Sequence, residues 1–564
     1  MDNRVNLIWL GDVRSLPAWP LGEAWASEPT PLALHRLVEE RLPASEAESW
    51  LFWDSRLGVP SVKRVQEVLA RPGDLWHAGL RLGMGGAPSL IDFIYPTWML
   101  NSDPESDIEA TSWRLSLRAC LVKSDALRQI GGVCPDFRTL EGASLELGHR
   151  FVMHGVMTRH IPSLIAEDLP SLSSLSCLED ELRFVYYRYG GFWSRLALLR
   201  ASMVGYTSPG KALRAWRSVY GTKLLAKPLS FVHAELNPTS DVDTTRVSVL
   251  IPTLDRYPYL RTLLRQLRDQ TVTPLEIIVV DQTAKERRDS TLAGEFDDLP
   301  LKVMYLDQAG QCSSRNAGLC AAKGDYVLFI DDDDEVPPTL IEKHLENLRR
   351  FDADASCGVA DEVGAGPLPE TFTRIRTSDV FPTNNSLVRK DVLRRSGLFD
   401  LAYERGQRAD GDLGMRLYLS GALMVLNPEI SVLHHHAPSG GLRAHKARVV
   451  TYASSRGRLT HRHLLSPTEI YLAMRYFSAR QLREELWLRT LGTFIIRGSK
   501  LKQALKFFVS LVYLPDTLWK TRERYRQADS MRQRFPQIPW LADREDVAQD
   551  TPLPGVNRVE LVHH

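Results

Sequence analysis

Between residues 246 and 330 the apolar positions change period in a regular order. Arg246 to Ile251, RVSVLI, has the β-branched pattern of a strand, which Pro252 is expected to stop. In Tyr259 to Gln270 the apolar Leu260, Leu263, Leu264 and Leu267 share one helical face. Leu275 to Val280 predicts a second strand ending at Asp281, and Lys302 to Leu306 a third. Ser313 to Ala322 predicts a helix, and Tyr326 to Ile330 a fourth strand. This alternation predicts an α/β domain with a mostly parallel sheet.

A repeat underlies the pattern. Sliding the chain by 266 positions sets ACLVKSDALRQIGG (119 to 132) on NSLVRKDVLRRSGL (385 to 398), then ASLELGHRFVMHG (143 to 155) on ADGDLGMRLYLSG (409 to 421), and Pro162 on Pro428. Across 119 to 155 there are 11 identities in 37 positions, against roughly two or three for unrelated segments, so internal duplication is the better reading. Each copy is followed by an Arg- and aromatic-rich helical stretch, Leu178 to Tyr220 and Pro467 to Tyr525, and NPTSDVDTT (237 to 245) reads as the linker between halves. The expected domains are 1–170, a helical segment and linker 171–240, 241–450, and a helical region 451–564.

Composition narrows the function classes. The 564 residues are 44% hydrophobic and 25% charged, and 70 basic residues almost cancel 69 acidic ones, so a nucleic-acid partner is not expected. Six cysteines (120, 134, 177, 312, 320 and 357) form no CxxC pair, which signals neither a zinc site nor a disulfide framework and fits a reducing cytosol. MDNRVNLIWLGDVRS lacks the form of a secretory signal, and no uninterrupted apolar run reaches the roughly 18 residues of a membrane span.

The chemistry-bearing residues gather after predicted strands, where parallel α/β sheets bind ligands. Thr253, Asp255 and Arg256 follow the first strand, Asp281 the second, Arg315 and Asn316 the third, and Asp331 to Asp334 the fourth. Four adjacent carboxylates raise one another's pKa unless positive charge offsets them. One reading is a solvated acidic turn, with Asp334 or Glu335 capping a helix that starts near Pro337. The other is a hard divalent cation, and the end of a buried strand favours it. Downstream, alternation in SVLHHHAPSGG (431 to 441) puts His434 and His436 on one side and His435 opposite, as metal ligands or as a polar loop.

RVSVLIPTLDR, LEIIVVDQT, GQCSSRNAGLCAAKGDYVLFIDDDDEVPP and ADGDLGMRL resemble the successive motifs of family 2 glycosyltransferases, over residues 246 to 445. The resemblance implies the GT-A fold, a Rossmann-like nucleotide-sugar-binding domain, here in tandem with a degenerate N-terminal copy. It implies an inverting transfer from a nucleotide-diphosphate sugar to a hydroxyl of a glycan or lipid-linked glycan, assisted by Mn²⁺ or Mg²⁺. Pro252, Thr253, Asp255 and Arg256 would border the nucleotide, Asp281 would contact the base, and Arg315 would lie near the diphosphate. Asp331 or Asp332 would face the ribose, and Asp333 would hold the metal with His434 or His436. Asp410 would be the general base, although Ala409 replaces the family's usual Glu and Asp410 could instead cap the helix, a role Asp412 could also fill. Gly440, Gly441 and Arg443 would close over the diphosphate.

In the first copy the same register puts Ser144 at the position of Asp410 and Glu146 at that of Asp412, and leaves Asp54 as the strand-end acid. That copy is expected to be catalytically dead, with a second active transferase as the rival. The stretch KQALKFFVSLVYLPDTLWKTRERYR (502 to 526) suits a core face, self-association, or peripheral contact with an anionic membrane. By family analogy the expected setting is bacterial envelope polysaccharide synthesis, in the cytoplasm or at the inner face of the cell membrane. The alternative from another class is an inactive glycan-binding scaffold.

Overall fold

The computed structural model describes residues 4–86, 90–92, 99–167, 172, 176–203, 205–221, 230–233, 246–364, 366–438, 440, 458–496, 498–541 and 559–562. The first half holds strands β1 (Val5–Leu10), β2 (Ala24–Ser27), β3 (Ser49–Asp54), β4 (Leu75–His77), β5 (Ala110–Thr111), β6 (Ala119–Lys123) and β7 (Thr158–His160) in the order β2-β1-β3-β6-β4-β7-β5. Helices α1 (Pro31–Arg41), α2 (Val62–Leu69), α3 (Ser124–Ile130) and α4 (Leu140–Met153) accompany that sheet, and α5 (Leu178–Met203) and α6 (Pro209–Val219) follow it.

The second half holds β8 (Val247–Thr253), β9 (Glu276–Asp281), β10 (Leu301–Leu306), β11 (Tyr326–Ile330), β12 (Asp334–Glu335), β13 (Ala355–Glu362), β14 (Arg376–Thr377), β15 (Asn385–Arg389) and β16 (Met424–His434). Their order is β12-β16-β13-β15-β11-β8-β9-β10; β17 (Val559–Val562) pairs with β10 at the far edge, and β14 pairs with β16. Helices α7 (Tyr257–Arg268), α8 (Leu292–Glu295), α9 (Gln311–Ala321), α10 (Leu340–Phe351), α11 (Lys390–Ser396) and α12 (Ala409–Leu419) belong to this half. Then come α13 (Pro467–Tyr476), α14 (Ala479–Gly492), α15 (Lys500–Val512) and α16 (Leu514–Arg534).

The four strands read between 246 and 330 are parallel as expected, and the strands that follow them make the whole sheet mixed. β10, β9, β8 and β11 are parallel, but β15 lies antiparallel between β11 and β13. Apolar periodicity reports that a strand is buried and says nothing of its direction. Pro252 also fails to stop β8, which runs on to Thr253. The Thr253 carbonyl faces β9, where it accepts from Gln282 N at 3.0 Å, so residue 252 faces β11. The ladder to β11 has already ended at Leu250, and the missing N–H of Pro252 therefore costs no bond.

The two sheets share one topology. β1/β2 and β8/β9 are parallel pairs, β3/β6 and β11/β15 antiparallel, β4/β7 and β13/β16 parallel, and β5/β7 and β14/β16 antiparallel. The 266-residue offset read from the sequence carries β5 onto β14, β6 onto β15 and α3 onto α11 without slippage. It also carries a side-chain network. Arg150 bonds Glu146 at 3.0 Å and the carbonyls of Ile130 and Gly132 at 2.7 and 2.6 Å. Arg416 bonds Asp412 at 3.0 Å and the carbonyls of Ser396 and Leu398.

The halves pack reciprocally. A Cβ on Gly155 (φ +100°) would lie 2.5 Å from the Ile375 carbonyl oxygen, and a Cβ on Gly421 (φ +85°) would lie 2.2 Å from that of Glu109. The offset relates Gly155 to Gly421 and Glu109 to Ile375, so each half offers the same corner to the same place on the other, as two subunits of a twofold dimer do. One apolar cluster is continuous from Ile8 in the first sheet to Leu426 in the second. The linker residues 237–245 lie outside the described residues. All six cysteines are free.

Gly421→Ala should lower unfolding free energy by about 2 kcal/mol or more, since both the positive φ and the backbone contact oppose a side chain. An unchanged denaturation midpoint would show that the corner has room to move.

Candidate active site

The four aspartates after β11 are not a solvated turn. Asp332, Asp333 and Asp334 are 3, 2 and 2% exposed. Asp334 and Glu335 form β12 against His434 and Leu433, and the next helix, α10, starts at Leu340 behind Thr339, so neither acid caps it. Burying carboxylates side by side demands compensation, and four elements supply it.

From the turn after β8, Thr253 Oγ1 donates to Asp332 at 2.8 Å, and Arg256 reaches Asp332 at 2.9 Å and Asp333 at 3.1 Å. From the end of β16, His434 Nδ1 bonds Asp334 at 2.6 Å, and beyond it the Ala437 N–H donates to Asp333 at 2.8 Å. From α9, Arg315 pairs with Asp331 at 2.8 Å. Burial pushes the Asp332 carboxyl up to about 7, with the Asp333 charge adding and Arg256 and Thr253 opposing. Asp334 is also pushed up, by burial first. Burial opposes charge on His434, but the Asp334 bond and the charges of Asp334, Asp331 and Asp333 outweigh it and raise the imidazole.

Asp281 closes the neighbouring side of the crevice. It is buried, accepting from the Tyr257 hydroxyl at 2.6 Å and the Thr283 N–H at 2.9 Å. Asp255 pairs with Arg287 at 2.8 Å, and its own N–H donates to Thr283 Oγ1. Gly440 packs over this turn, where a Cβ would fall 2.7 Å from the Leu254 carbonyl oxygen. Gly441 and Arg443 lie outside the described residues. Among the described residues, three of the four non-glycine residues with positive φ lie in the turns around this region: Asp255 (57°), Arg408 (78°) and His436 (54°).

Asp410 stands apart. It is exposed, and among the described residues nothing bonds its carboxylate. It is the second residue of α12, whose N-cap is Arg408, so Asp410 is no cap. Nor is Asp412, which is buried against Arg416 and the Tyr476 hydroxyl. The preceding loop, 401–408, docks on the N-terminus of α9. There Glu404 accepts from the Cys312 and Ser313 N–H groups at 2.8 and 3.0 Å, and Gln311 bonds the Tyr403 and Gly406 carbonyls. Arg315, one turn further along α9, bonds the Gln311 carbonyl and Asp331. Glu404 and Tyr257 went unnoticed in the sequence. Either could have been any exposed polar residue, and only the folded contacts mark them.

The histidines divide as alternation predicted: His434 and His436 stack edge to face at 4.4 Å, while His435 goes to Glu335. His434 Nδ1 lies 3.9 Å from Asp333 Oδ1, but His436 engages Glu362 at 3.1 Å. Among the described residues no three acidic, His or Cys side chains converge as a preformed metal cage.

Residues 248–405 match the Glycosyl transferase family 2 model. This segment is a family 2 glycosyltransferase domain. The uncharacterized glycosyltransferase YwdF of Bacillus subtilis is 33% identical over 168 residues, covering 28% of this chain and 62% of that protein. TuaG of the same organism, provisionally named a teichuronic acid biosynthesis glycosyltransferase, is 33% identical over 113 residues, 20% of this chain and 43% of that protein. The matched stretch is thus under two thirds of either relative's length. A crystal structure of S. aureus TarS with UDP-GlcNAc is 18% identical and covers 51% of this chain and 92% of that one, at a TM-score of 0.33, a likeness too slight to carry an argument. The matched segment contains the parallel strands β8 to β11, with β15 antiparallel beside β11.

In the first half the equivalent strand end is closed by its own side chains. Asp54 accepts from Arg118 at 2.6 Å and Arg56 at 2.8 Å, Arg118 also binds Glu141, and Ser144 Oγ accepts from the Leu117 N–H. Glu146 pairs with Arg150 and Arg188.

Arg256→Met should destabilise the free protein by about 3 kcal/mol, because it leaves two buried carboxylates short of their counter-charge. Chemical denaturation of the variant measures this, and a wild-type midpoint would show that Arg256 is not what neutralises them.

Proposed function

We propose that the domain transfers a sugar, with inversion, from a nucleotide-diphosphate sugar to a hydroxyl of a glycan or lipid-linked glycan. The observation that carries this reading is the buried carboxylate cluster of Asp332, Asp333 and Asp334 at the end of a parallel strand, together with an exposed Asp410 in the first turn of α12 whose carboxylate no described residue bonds. A merely structural acidic turn has no reason to be desolvated at such cost.

The nucleotide would lie along Pro252, Thr253, Asp255, Arg256 and Asp281, with Asp331 or Asp332 toward the ribose and Arg315 toward the diphosphate. Asp333 would hold a divalent cation such as Mn²⁺ or Mg²⁺, and His434 would join it through the ring nitrogen not bonded to Asp334, with phosphate oxygens as further ligands. When bound, the ion would supply positive charge against the diphosphate. His436, engaged with Glu362, is a weaker candidate ligand. Asp410 takes the proton of the acceptor hydroxyl as its oxygen bonds the anomeric carbon. The bond from that carbon to the diphosphate oxygen breaks, and its electron pair leaves with the nucleotide diphosphate. The first half is read as a non-catalytic copy, since its strand-end acid is already paired with Arg56 and Arg118. The name of TuaG supports bacterial envelope polysaccharide synthesis as the setting.

Asp410→Asn should lower turnover about 10²- to 10⁴-fold while leaving nucleotide-sugar affinity nearly unchanged. Release of free nucleotide diphosphate across a panel of nucleotide sugars measures the first, and calorimetry the second. Normal turnover would remove Asp410 from the role.

Asp333→Ala should lose any response of donor binding to added Mn²⁺. Equal Mn²⁺ dependence in both proteins would place the ion elsewhere.

A further inference from the structure

Helix α15 is built inside out. Its buried residues are the polar Lys506 and Ser510: the Lys506 ammonium donates to the Leu459 and His461 carbonyls at 2.8 and 2.5 Å, and Ser510 Oγ donates to the Thr493 carbonyl at 2.8 Å. Away from these anchors, Leu501, Leu505, Phe508, Leu511 and Val512 are 80, 48, 63, 50 and 78% exposed. Trp487 on α14 and Trp519 on α16 are 60 and 61% exposed. An amphipathic helix ordinarily turns its apolar stripe inward, and a contiguous outward patch marks something that covers it.

Charge says what covers it. From Leu486 to Pro515 the chain has no acidic residue but five basic ones, Arg489, Arg497, Lys500, Lys502 and Lys506. The acids just upstream are already engaged, Glu485 with Arg489 and Glu484 with Arg200. Lys506 is buried and Arg489 is paired with Glu485, so the outer face presents Lys500 and Lys502, and a second copy docking through it about a twofold axis would set these lysines against one another. An anionic lipid surface complements them, and aromatic and aliphatic side chains beside lysines are what settles at the boundary between headgroups and acyl chains.

We propose that the outer face of α14, α15 and α16 docks on an anionic phospholipid bilayer. Leu501, Leu505, Phe508 and Leu511 enter the acyl boundary, and Lys500 and Lys502 meet the headgroups. The attachment is peripheral through these helices, since among the described residues no helix is long and apolar enough to cross a membrane. This surface is independent of the transfer chemistry, and Asp410→Asn protein should dock as the wild type does.

The test is co-sedimentation of the full chain with vesicles of phosphatidylcholine alone and of phosphatidylcholine mixed with phosphatidylglycerol. Wild type should pellet with the mixed vesicles and far less with the neutral ones, and added salt should release it. Leu505→Glu/Phe508→Glu should weaken binding at least tenfold with an unchanged melting temperature, because both side chains already face water. Lys500→Glu/Lys502→Glu should weaken binding to the mixed vesicles specifically. The proposal fails if wild type ignores anionic vesicles, or if Leu505→Glu/Phe508→Glu binds them as tightly. It also fails if that double variant only splits a dimer without changing vesicle binding, which would assign the face to a second copy.

Discussion

Carboxylates crowded out of water at the end of β11 are the constraint around which the second half is arranged. Three aspartates at 2 to 3% exposure cannot all stay ionised without nearby positive charge or donors. β8 ends in a turn that aims Arg256 and Thr253 at them, β16 ends in His434, the chain beyond β16 turns back to offer the Ala437 N–H, and α9 contributes Arg315. These segments are distant in sequence, and the cluster is what they have in common. A site organised this way keeps its charges in place before any ligand arrives, which is the condition for electrostatic help to cost little reorganisation during a reaction.

The first half shows the same fold without that constraint. Its strand order and pairing directions repeat those of the second sheet, yet β3 ends in the single acid Asp54, closed by Arg56 and Arg118. The offset sets Arg118 opposite Asn384 and Glu141 opposite Gln407. In one half a fixed Arg–Glu pair fills the place where the other has two neutral amides. The copy retains what packing requires, namely the arginine that ties α4 to the Ile130 and Gly132 carbonyls and the glycine at the corner between the halves.

Those retained residues explain why so much was legible in the sequence. Of the identities found by sliding the chain, Gly155/Gly421 sits where a side chain would strike the other half, Gly131/Gly397 has positive φ in both copies, and Arg150/Arg416 repeats a buried network. Each has one physical solution, so its sequence signal is strong. The strand-end acids were legible for the same reason, and so was the split of the three histidines. Strand direction was not, because a buried antiparallel strand such as β15 and a buried parallel one have the same apolar pattern. Neither was Glu404, whose partners are backbone N–H groups some ninety residues away. The capping roles considered for Asp334, Asp410 and Asp412 went wrong because a cap depends on where the helix starts, and boundaries are set by tertiary contacts.

The backbone strain next to the site follows from the same economy of position. An arginine in the left-handed region costs about 1 kcal/mol or more, and Arg408 keeps that conformation because its neighbours fix it. Its guanidinium bonds Glu469 at 3.0 Å, and Glu469 is in turn locked in the capping box of α13 with Ser466. On the other side, Gln311 and Glu404 pin the loop to α9. The kink at Arg408 starts α12 at Ala409 and turns the next carboxylate, Asp410, to solvent rather than into the packed interior that holds Asp412. A relaxed backbone at 408 would start the helix differently and move Asp410 relative to α9 and hence to Asp331. Strain at Asp255 and His436 likewise sits in the turns that bring Arg256 and Ala437 to the aspartates. The sheet fixes where the strands end, and these three strained residues decide which way the functional groups beyond them face.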